Sequence, residues 1–274
     1  MYISVLMDDT VSTSQYVCEH GLSFFVETQS NQVLFDAGAS ALLLENATRM
    51  GISLAEADFA ILSHGHIDHG GGMKAFLTHN LTAKVYLQAN ALEEHRTCRA
   101  NGALEYIGLP TELLNEPRLV PFTGDLRLNE NLLLFSTVTG QEFLSNSNKT
   151  HLVYRSGRNM SDVFDHEQSL LVWEGPKLVL IAGCSHRGIV NIMNRAMELS
   201  GRPMDAVVGG FHLSNPRDGG CEPMETIQGI ANYLRRFPTR YYTCHCTGSA
   251  AFQILHQSMG EQLQWVGAGS KIQV

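Results

Sequence analysis

The chain has 274 residues, 44% of them hydrophobic and 17% charged, with a formal net charge of −8 and a pI near 5.8. That is enough apolar material for a sizeable core, and the balance is too acidic for a nucleic-acid partner, whose footprint is basic. No apolar run approaches the ~18 residues of a spanning helix, and MYISVLMDDT lacks a basic segment followed by an apolar one. The expectation is therefore a cytoplasmic protein with no membrane partner and six reduced cysteines.

Tyr2–Leu6 reads as a short strand. Ser23–Thr28 and Gln32–Phe35 read as a hairpin turning at Gln29-Ser30-Asn31. Ala39–Met50 has a helical pattern that Gly51 stops, and Ser53 with Glu56 fits a capping box. Phe59–Leu62 is a buried-strand pattern running into Ser63-His64. A helix is predicted near Gly72–Thr78, a strand at Lys84–Gln88 and a helix over Ala89–Ala100. Residues 101–165 are polar, with one clear strand at Asn131–Ser136. Ser169–Trp173 and Leu178–Ala182 form a hairpin pattern around Glu174-Gly175-Pro176. There follow a helix near Ile189–Ser200, a strand at Ala206–Val208 and a helix over Pro223–Arg236 with Pro near its start. Tyr241–Thr243 is a strand, Ser249–Met259 a helix and Gln264–Val274 a final strand. Strands with helical returns at both ends predict a mixed α/β (α+β) fold, a four-layer αββα sandwich spanning 1–274 as one domain.

Residues 63–72, Ser-His-Gly-His-Ile-Asp-His-Gly-Gly-Gly, place His64, His66, Asp68 and His69 within six positions. Imidazole and carboxylate are ligands for zinc, iron and manganese. His64 and His66, two apart at a strand end, project to one face; Asp68 and His69 follow the turn and point to a second metal. Two metals ~3.5–4 Å apart can share a water and hold both oxygens of a displacement. Four residues do not complete two metal shells. Three later strand exits offer more: Gly183-Cys184-Ser185-His186, Gly209-Gly210-Phe211-His212 and Cys244-His245-Cys246-Thr247-Gly248. Cys244 and Cys246 lack the second cysteine pair of a structural zinc site. His79, His95, His151 and His256 have no companion ligand and read as surface or packing residues. Two helix starts, after Gly70-Gly71-Gly72 and after Thr247-Gly248, offer either an anion site through free N–H groups or simply a tight turn.

The His-x-His-x-Asp-His run at 64–69 and Val33-Leu34-Phe35-Asp36-Ala37-Gly38 resemble the metallo-β-lactamase superfamily. Four further segments are similar to one branch, the dihydropterin/ribofuranosylaminobenzene phosphate synthase-like metal-dependent hydrolases. They are Glu19-His20-Gly21-Leu22-Ser23, Gly183 to Ile189, Gly209 to Leu213 and His245-Cys246-Thr247-Gly248. The resemblance implies that His64, His66, Asp68 and His69 are the main metal ligands and His245 the final histidine. Cys184 stands where many members carry a bridging aspartate, and His186 is the preferred missing imidazole. The usual Gly-His-Thr motif is absent, and His166 is held in reserve. The resemblance further implies two divalent metals, zinc with iron or manganese as alternatives. Asp68 would orient the nucleophile and His212 serve as proton donor or anion contact. Asp36, Ser23, His166, Thr247 and Gly248 would support the ligands or meet the substrate.

The implied function is hydrolysis of an ester or phosphoester of a small anionic metabolite by metal-activated water. The alternatives are a transferase displacing pyrophosphate from a dihydropterin-like substrate, and a non-catalytic metal- or ligand-binding protein. Residues 101–165 are expected to be a specificity insertion, and a homo-oligomer is left open.

Overall fold

The fold is that of a computed structural model, which describes residues 1–215 and 220–274. The chain folds as two compact units, each assembled from separated segments.

Unit 1 comprises Met1–Thr123, Lys149–Gln168 and Gly267–Gln273. Its strands are β1 (Tyr2–Met7), β2 (Ser23–Glu27), β3 (Gln32–Phe35), β4 (Phe59–Ile61), β5 (Lys84–Gln88), β6 (Glu94–Cys98), β7 (Leu104–Tyr106) and β8 (Leu119–Phe122), with β11, β12 and β18 from later in the chain. Its helices are α1 (Leu43–Arg49), the short α2 (Ile67–Gly70) and α3 (Met73–His79). A seven-stranded sheet runs β18-β1-β2-β3-β4-β5-β8, with β18 at Lys271–Gln273. From β3 to β8 the strands are parallel, so their exits lie along one edge. Pro121 lies in β8, the edge strand, where a missing N–H is tolerated. α1 and α3 bury Leu43, Ala47, Met73, Phe76 and Leu77 against Leu34, Leu62 and Val85. A smaller sheet runs β12-β11-β6-β7, with β11 at His151–Arg155 and β12 at Arg158–Ser161.

Unit 2 comprises Gly124–Asn148, Ser169–Val266 and Val274. Its strands are β9 (Leu126–Asn129), β10 (Leu132–Phe135), β13 (Ser169–Glu174), β14 (Lys177–Ile181), β15 (Ala206–Gly209), β16 (Arg240–Thr243) and β17 (Leu263–Trp265). Its helices are α4 (Ile189–Ser200), α5 (Met224–Leu234) and α6 (Ser249–Met259). The sheet order is β17-β16-β15-β14-β13-β10-β9, with β14, β15, β16 and β17 parallel. Ile189, Ile192, Met193 and Ala196 form the buried stripe of α4, at the spacing of one helix face. Gly201, at φ 74°, stops that helix.

The predicted helix over Ala89–Ala100 is not there. A single 3₁₀ turn over Ala89–Leu92 leads into β6, where burial alternates because His95 and Thr97 face inward. Pairing with β11 and β7 overrides the helix propensity of Ala, Leu, Glu and Arg. The single final strand is instead two, β17 in unit 2 and β18 in unit 1. Gly269 separates them at φ 89°, with the Tyr16 ring where a Cβ would stand. Residues 101–165 hold six strands where the pattern showed one. Ser53 makes no side-chain cap; Glu56 N–H donates to its carbonyl.

Candidate metal centre

In unit 1 the parallel strands deliver Asp36 at the end of β3 and Ser63-His64 at the end of β4. Asp36 is fully buried, at φ 59°. Its Oδ1 accepts from Ser63 N–H at 2.7 Å, and its Oδ2 accepts from Ser63 Oγ–H at 2.6 Å and His69 Nδ1–H at 2.7 Å. Ser63 has one hydroxyl proton and gives it to the carboxylate. Its 2.9 Å contact with His64 Nδ1 is therefore filled by His64 donating. His64 and His69 thus carry their protons on Nδ1 and keep the Nε2 lone pair that a divalent ion takes. Ser23 Oγ–H donates to the Asp36 carbonyl at 2.8 Å.

The His64 ring centroid lies 4.5 Å from that of His66 and 4.1 Å from that of His69. Burial, then the neighbouring charges of His64, His151 and His166, pushes His66 well below its ordinary value, which keeps it a neutral imidazole. Asp68 is 18% exposed; its Oδ2 lies 3.7 Å from His69 Nε2 and 3.4 Å from His20 Nε2. His20 Nδ1 in turn meets Asp9 Oδ2 at 2.9 Å. Gly70, Gly71 and Gly72 N–H groups donate to His66, Ile67 and Gly38 carbonyls, so the triple glycine serves close packing. A Cβ on Gly71 or Gly72 would overlap the carbonyls of Ala39, or of Ala37 and Ser40.

A further buried group in unit 1 comprises His66, His95, Asp162 and His166, whose donor atoms lie within 4.8 Å of one another. Burial would push the Asp162 carboxyl up, but hydrogen bonds from His166 and His95 outweigh it and hold it below the usual carboxylate range. Burial, then the charge of His95, pushes His166 down. His95, which the sequence suggested was surface or packing, is fully buried and bonded to Asp162 at 3.0 Å. His151 stacks on His66 at 5.4 Å.

In unit 2, β14, β15 and β16 are parallel neighbours, and their exits supply Cys184 and His186, His212, and His245. Ser185, His212 and His245 all adopt positive φ, 64°, 51° and 50°, so each exit turns sharply just past its strand. Asn148 Nδ2–H donates to the His186 carbonyl at 2.8 Å, which aims its Oδ1 at His186 Nδ1, 3.1 Å away. An amide oxygen only accepts, so His186 Nδ1 carries the proton and Nε2 keeps its lone pair. The His186 ring lies 4.0 Å from that of His212, whose Nε2 meets Ser147 Oγ at 2.8 Å. Glu222, buried, holds this loop through Ser145 Oγ and Asn146 N–H, both at 2.7 Å.

Cys184, His212 and Cys246 are buried, with donor atoms within 4.8 Å of one another. Burial would raise the Cys246 thiol, but hydrogen bonds to Cys184 and His212 and the charges of His245 and His212 hold it well below its ordinary value. Thr247 is fully buried. Phe211 N–H donates to its hydroxyl at 2.8 Å, that hydroxyl meets Thr243 Oγ1 at 2.5 Å, and Thr243 donates to the Gly209 carbonyl at 3.1 Å. Gly248 N–H donates to the His245 carbonyl. Both residues tie strand ends together with the groups expected to face an anion.

The donors in each unit fit a divalent metal: imidazoles held through Nδ1 and a carboxylate in unit 1, imidazoles and thiols in unit 2. His20 lies in one of the family-like segments, whereas Asp162, Ser147 and Asn148 carry no signal in the sequence, since a single polar residue in a loop makes no pattern. Among the described residues no helix is long and apolar enough to cross a membrane.

Residues 16–158, just over half of the chain, match the metallo-β-lactamase superfamily. The solved structure of Tm1679, a metal-dependent hydrolase of the β-lactamase superfamily, is 30% identical, with a TM-score of 0.83, covering 100% of this chain and 99% of its own. The 7,8-dihydropterin-6-methyl-4-(β-D-ribofuranosyl)-aminobenzene-5′-phosphate synthase of Methanocaldococcus jannaschii is 27% identical over 276 residues, 94% of this chain and 91% of its own length. An uncharacterized protein of the same organism is 27% identical over 261 residues, 93% of this chain and 94% of its own. The His-x-His-x-Asp-His run, its carboxylate support and these similarities agree: the chain belongs to the metallo-β-lactamase superfamily.

Proposed function

We propose that the chain is a metal-dependent hydrolase of an ester or phosphoester of a small anionic metabolite. Its metal ligands are His64, His66, Asp68, His69, Cys184, His186 and His245, and zinc is the favoured ion, with iron and manganese as alternatives. The observation that carries this reading is tautomeric: His64, His69 and His186 each have Nδ1 bonded as a donor, which reserves Nε2 for a metal. A bound divalent metal lowers the pKa of water towards 7 and polarises the oxygen under attack. Asp36 fixes the rings of His64 and His69, directly or through Ser63. Asp68, partly exposed and flanked by His20, orients the attacking water and takes up its proton. His212, steadied by Ser147, donates a proton to the leaving group or contacts the anion.

The test is hydrolysis of bis(p-nitrophenyl) phosphate by the zinc-loaded chain. His66→Ala and His186→Ala should each abolish turnover; activity surviving in both variants would refute the ligand assignment. A second reading, group transfer, is favoured by the similarity to the archaeal synthase along 94% of this chain. Pyrophosphate release from a dihydropterin pyrophosphate that requires an aryl-amine acceptor would establish transfer; release without the acceptor would establish hydrolysis.

A further inference from the structure

The loop carrying His64 and His66 is braced by the segment 162–168. Gln168 N–H donates to the Ser63 carbonyl at 2.8 Å. Gln168 Nε2–H donates to the carbonyls of Leu62 at 2.8 Å and Tyr86 at 3.1 Å. Gly65 N–H, in the peptide between the two ligand histidines, donates to His166 Nδ1 at 3.0 Å. An N–H can only be met by a lone pair, so His166 Nδ1 is bare and its ring proton sits on Nε2. That Nε2–H faces Asp162 Oδ2 at 3.2 Å. The carboxylate also takes His95 Nδ1–H at 3.0 Å, and its Oδ1 takes Phe164 N–H at 2.7 Å. A protonated Nε2 has no lone pair for a metal. The buried group of His66, His95, Asp162 and His166 is therefore a hydrogen-bonded brace rather than a second ion site. Residue 65 has to be glycine here, because a Cβ would stand 2.8 Å from the His95 ring.

We propose that Asp162 and His166 are positioning residues for the metal: Asp162 sets the His166 tautomer, His166 holds the Gly65 amide, and the held peptide fixes the spacing of the His64 and His66 rings. The proposal rests on the reading of His64 and His66 as metal ligands. It is read in metal affinity, so it stands or falls separately from any turnover.

Asparagine offers the discriminating substitution. Its Oδ1 occupies the place of Nδ1 on a histidine, accepts from Gly65 and needs no partner to set a tautomer. In Asp162→Asn the Phe164 amide claims the side-chain oxygen and turns the NH₂ towards His166 Nε2. That pushes the ring proton to Nδ1, against the Gly65 N–H. The experiment is zinc titration of the full chain in competition with a chromophoric chelator. His166→Leu and Asp162→Asn should each weaken zinc by ~10–100-fold, as loss of a ligand's supporting partner does. His166→Asn should stay close to the parent, and Asp162→Asn should add nothing further on top of it. The number of zinc ions bound should not change in any variant.

Three results would overturn the proposal: His166→Asn as weak as His166→Leu, an unchanged affinity in Asp162→Asn, or loss of one whole zinc equivalent in His166→Leu with the rest bound as before. If the leucine variant does not fold, the asparagine variants still decide. A parent chain that binds no zinc overturns both this proposal and the hydrolase reading. A parent that binds zinc and is indifferent to these substitutions overturns only this one.

Discussion

Asp36 holds three donors with two oxygens, and none of them is in reach of water. Asn in its place keeps the shape but turns one acceptor into a donor, so one of the three bonds becomes a clash. Asp36→Asn should weaken zinc by ~10–100-fold and cost about 1–3 kcal/mol of stability. Chelator competition and thermal unfolding read the two separately. Asn148 acts on a single ring, so Asn148→Leu should weaken zinc by ~10-fold and leave the unfolding temperature of the zinc-free chain nearly unchanged. The two supports differ in how readily the sequence shows them. Asp36 closes an apolar strand two residues before a glycine and stands out, as do the three imidazoles and one carboxylate crowded into 64–69. Asn148 and Ser147 reach their histidines from loops 38 and 65 residues away in sequence, and Asp162 reaches His95 from 67 residues away. No local spacing announces such a pair, because only the folded backbone brings it together.

Among the elements, Lys84–Gln88, Ile189–Ser200 and Ser249–Met259 match their sequence patterns to the residue. Each has one dominant period and a clear stop. β6 has two competing signals, and the pairing that decides it comes from β7 nearby and from β11 more than 50 residues away, as in the pairing of Val153 with His95. α3 shows how a helix can be ended by a side chain. Arg118 donates to the carbonyls of Leu77 at 3.0 Å and Asn80 at 2.6 Å, at the C-terminus of α3, where a cation is favoured. The same guanidinium beside Glu116, helped by Lys74, holds that carboxyl at about 2, below its ordinary 4.5. The folded state therefore binds this proton less readily than the unfolded state does. Its contribution is full above about pH 4.5 and is lost as the pH falls towards 2. Glu116→Gln should be less stable than the parent at pH 7, and the gap should close between pH 5 and pH 2 in thermal melts. A gap that stays constant across that range would mean the carboxylate charge is not what Arg118 reads.

At the scale of the whole molecule, each unit has its own apolar core and its own set of donor side chains. Metal binding to the folded chain alone stabilises it by mass action, ~2.7 kcal/mol at 100 times Kd. For a protein of this size that is about 5–10 °C in unfolding temperature. Zinc should raise the melting temperature of the chelator-stripped chain by that amount, and His64→Ala should remove most of the rise. An equal rise in the variant would place the stabilising ion elsewhere.

The pairing of Ser4 with Lys271 sets an order of events during synthesis. All of unit 2 except Val274 lies before residue 267, yet the sheet of unit 1 takes its last strand from Lys271–Gln273. While the ribosome is still making unit 2, β1 stands as a bare sheet edge, the kind that recruits strands from other chains. Unit 1 therefore completes after unit 2 has been synthesised, and a nascent chain stalled near residue 266 is the form most prone to aggregate. A tag fused after residue 274 would lie one residue beyond the strand that seals that edge, whereas a tag placed in an internal loop would leave it alone.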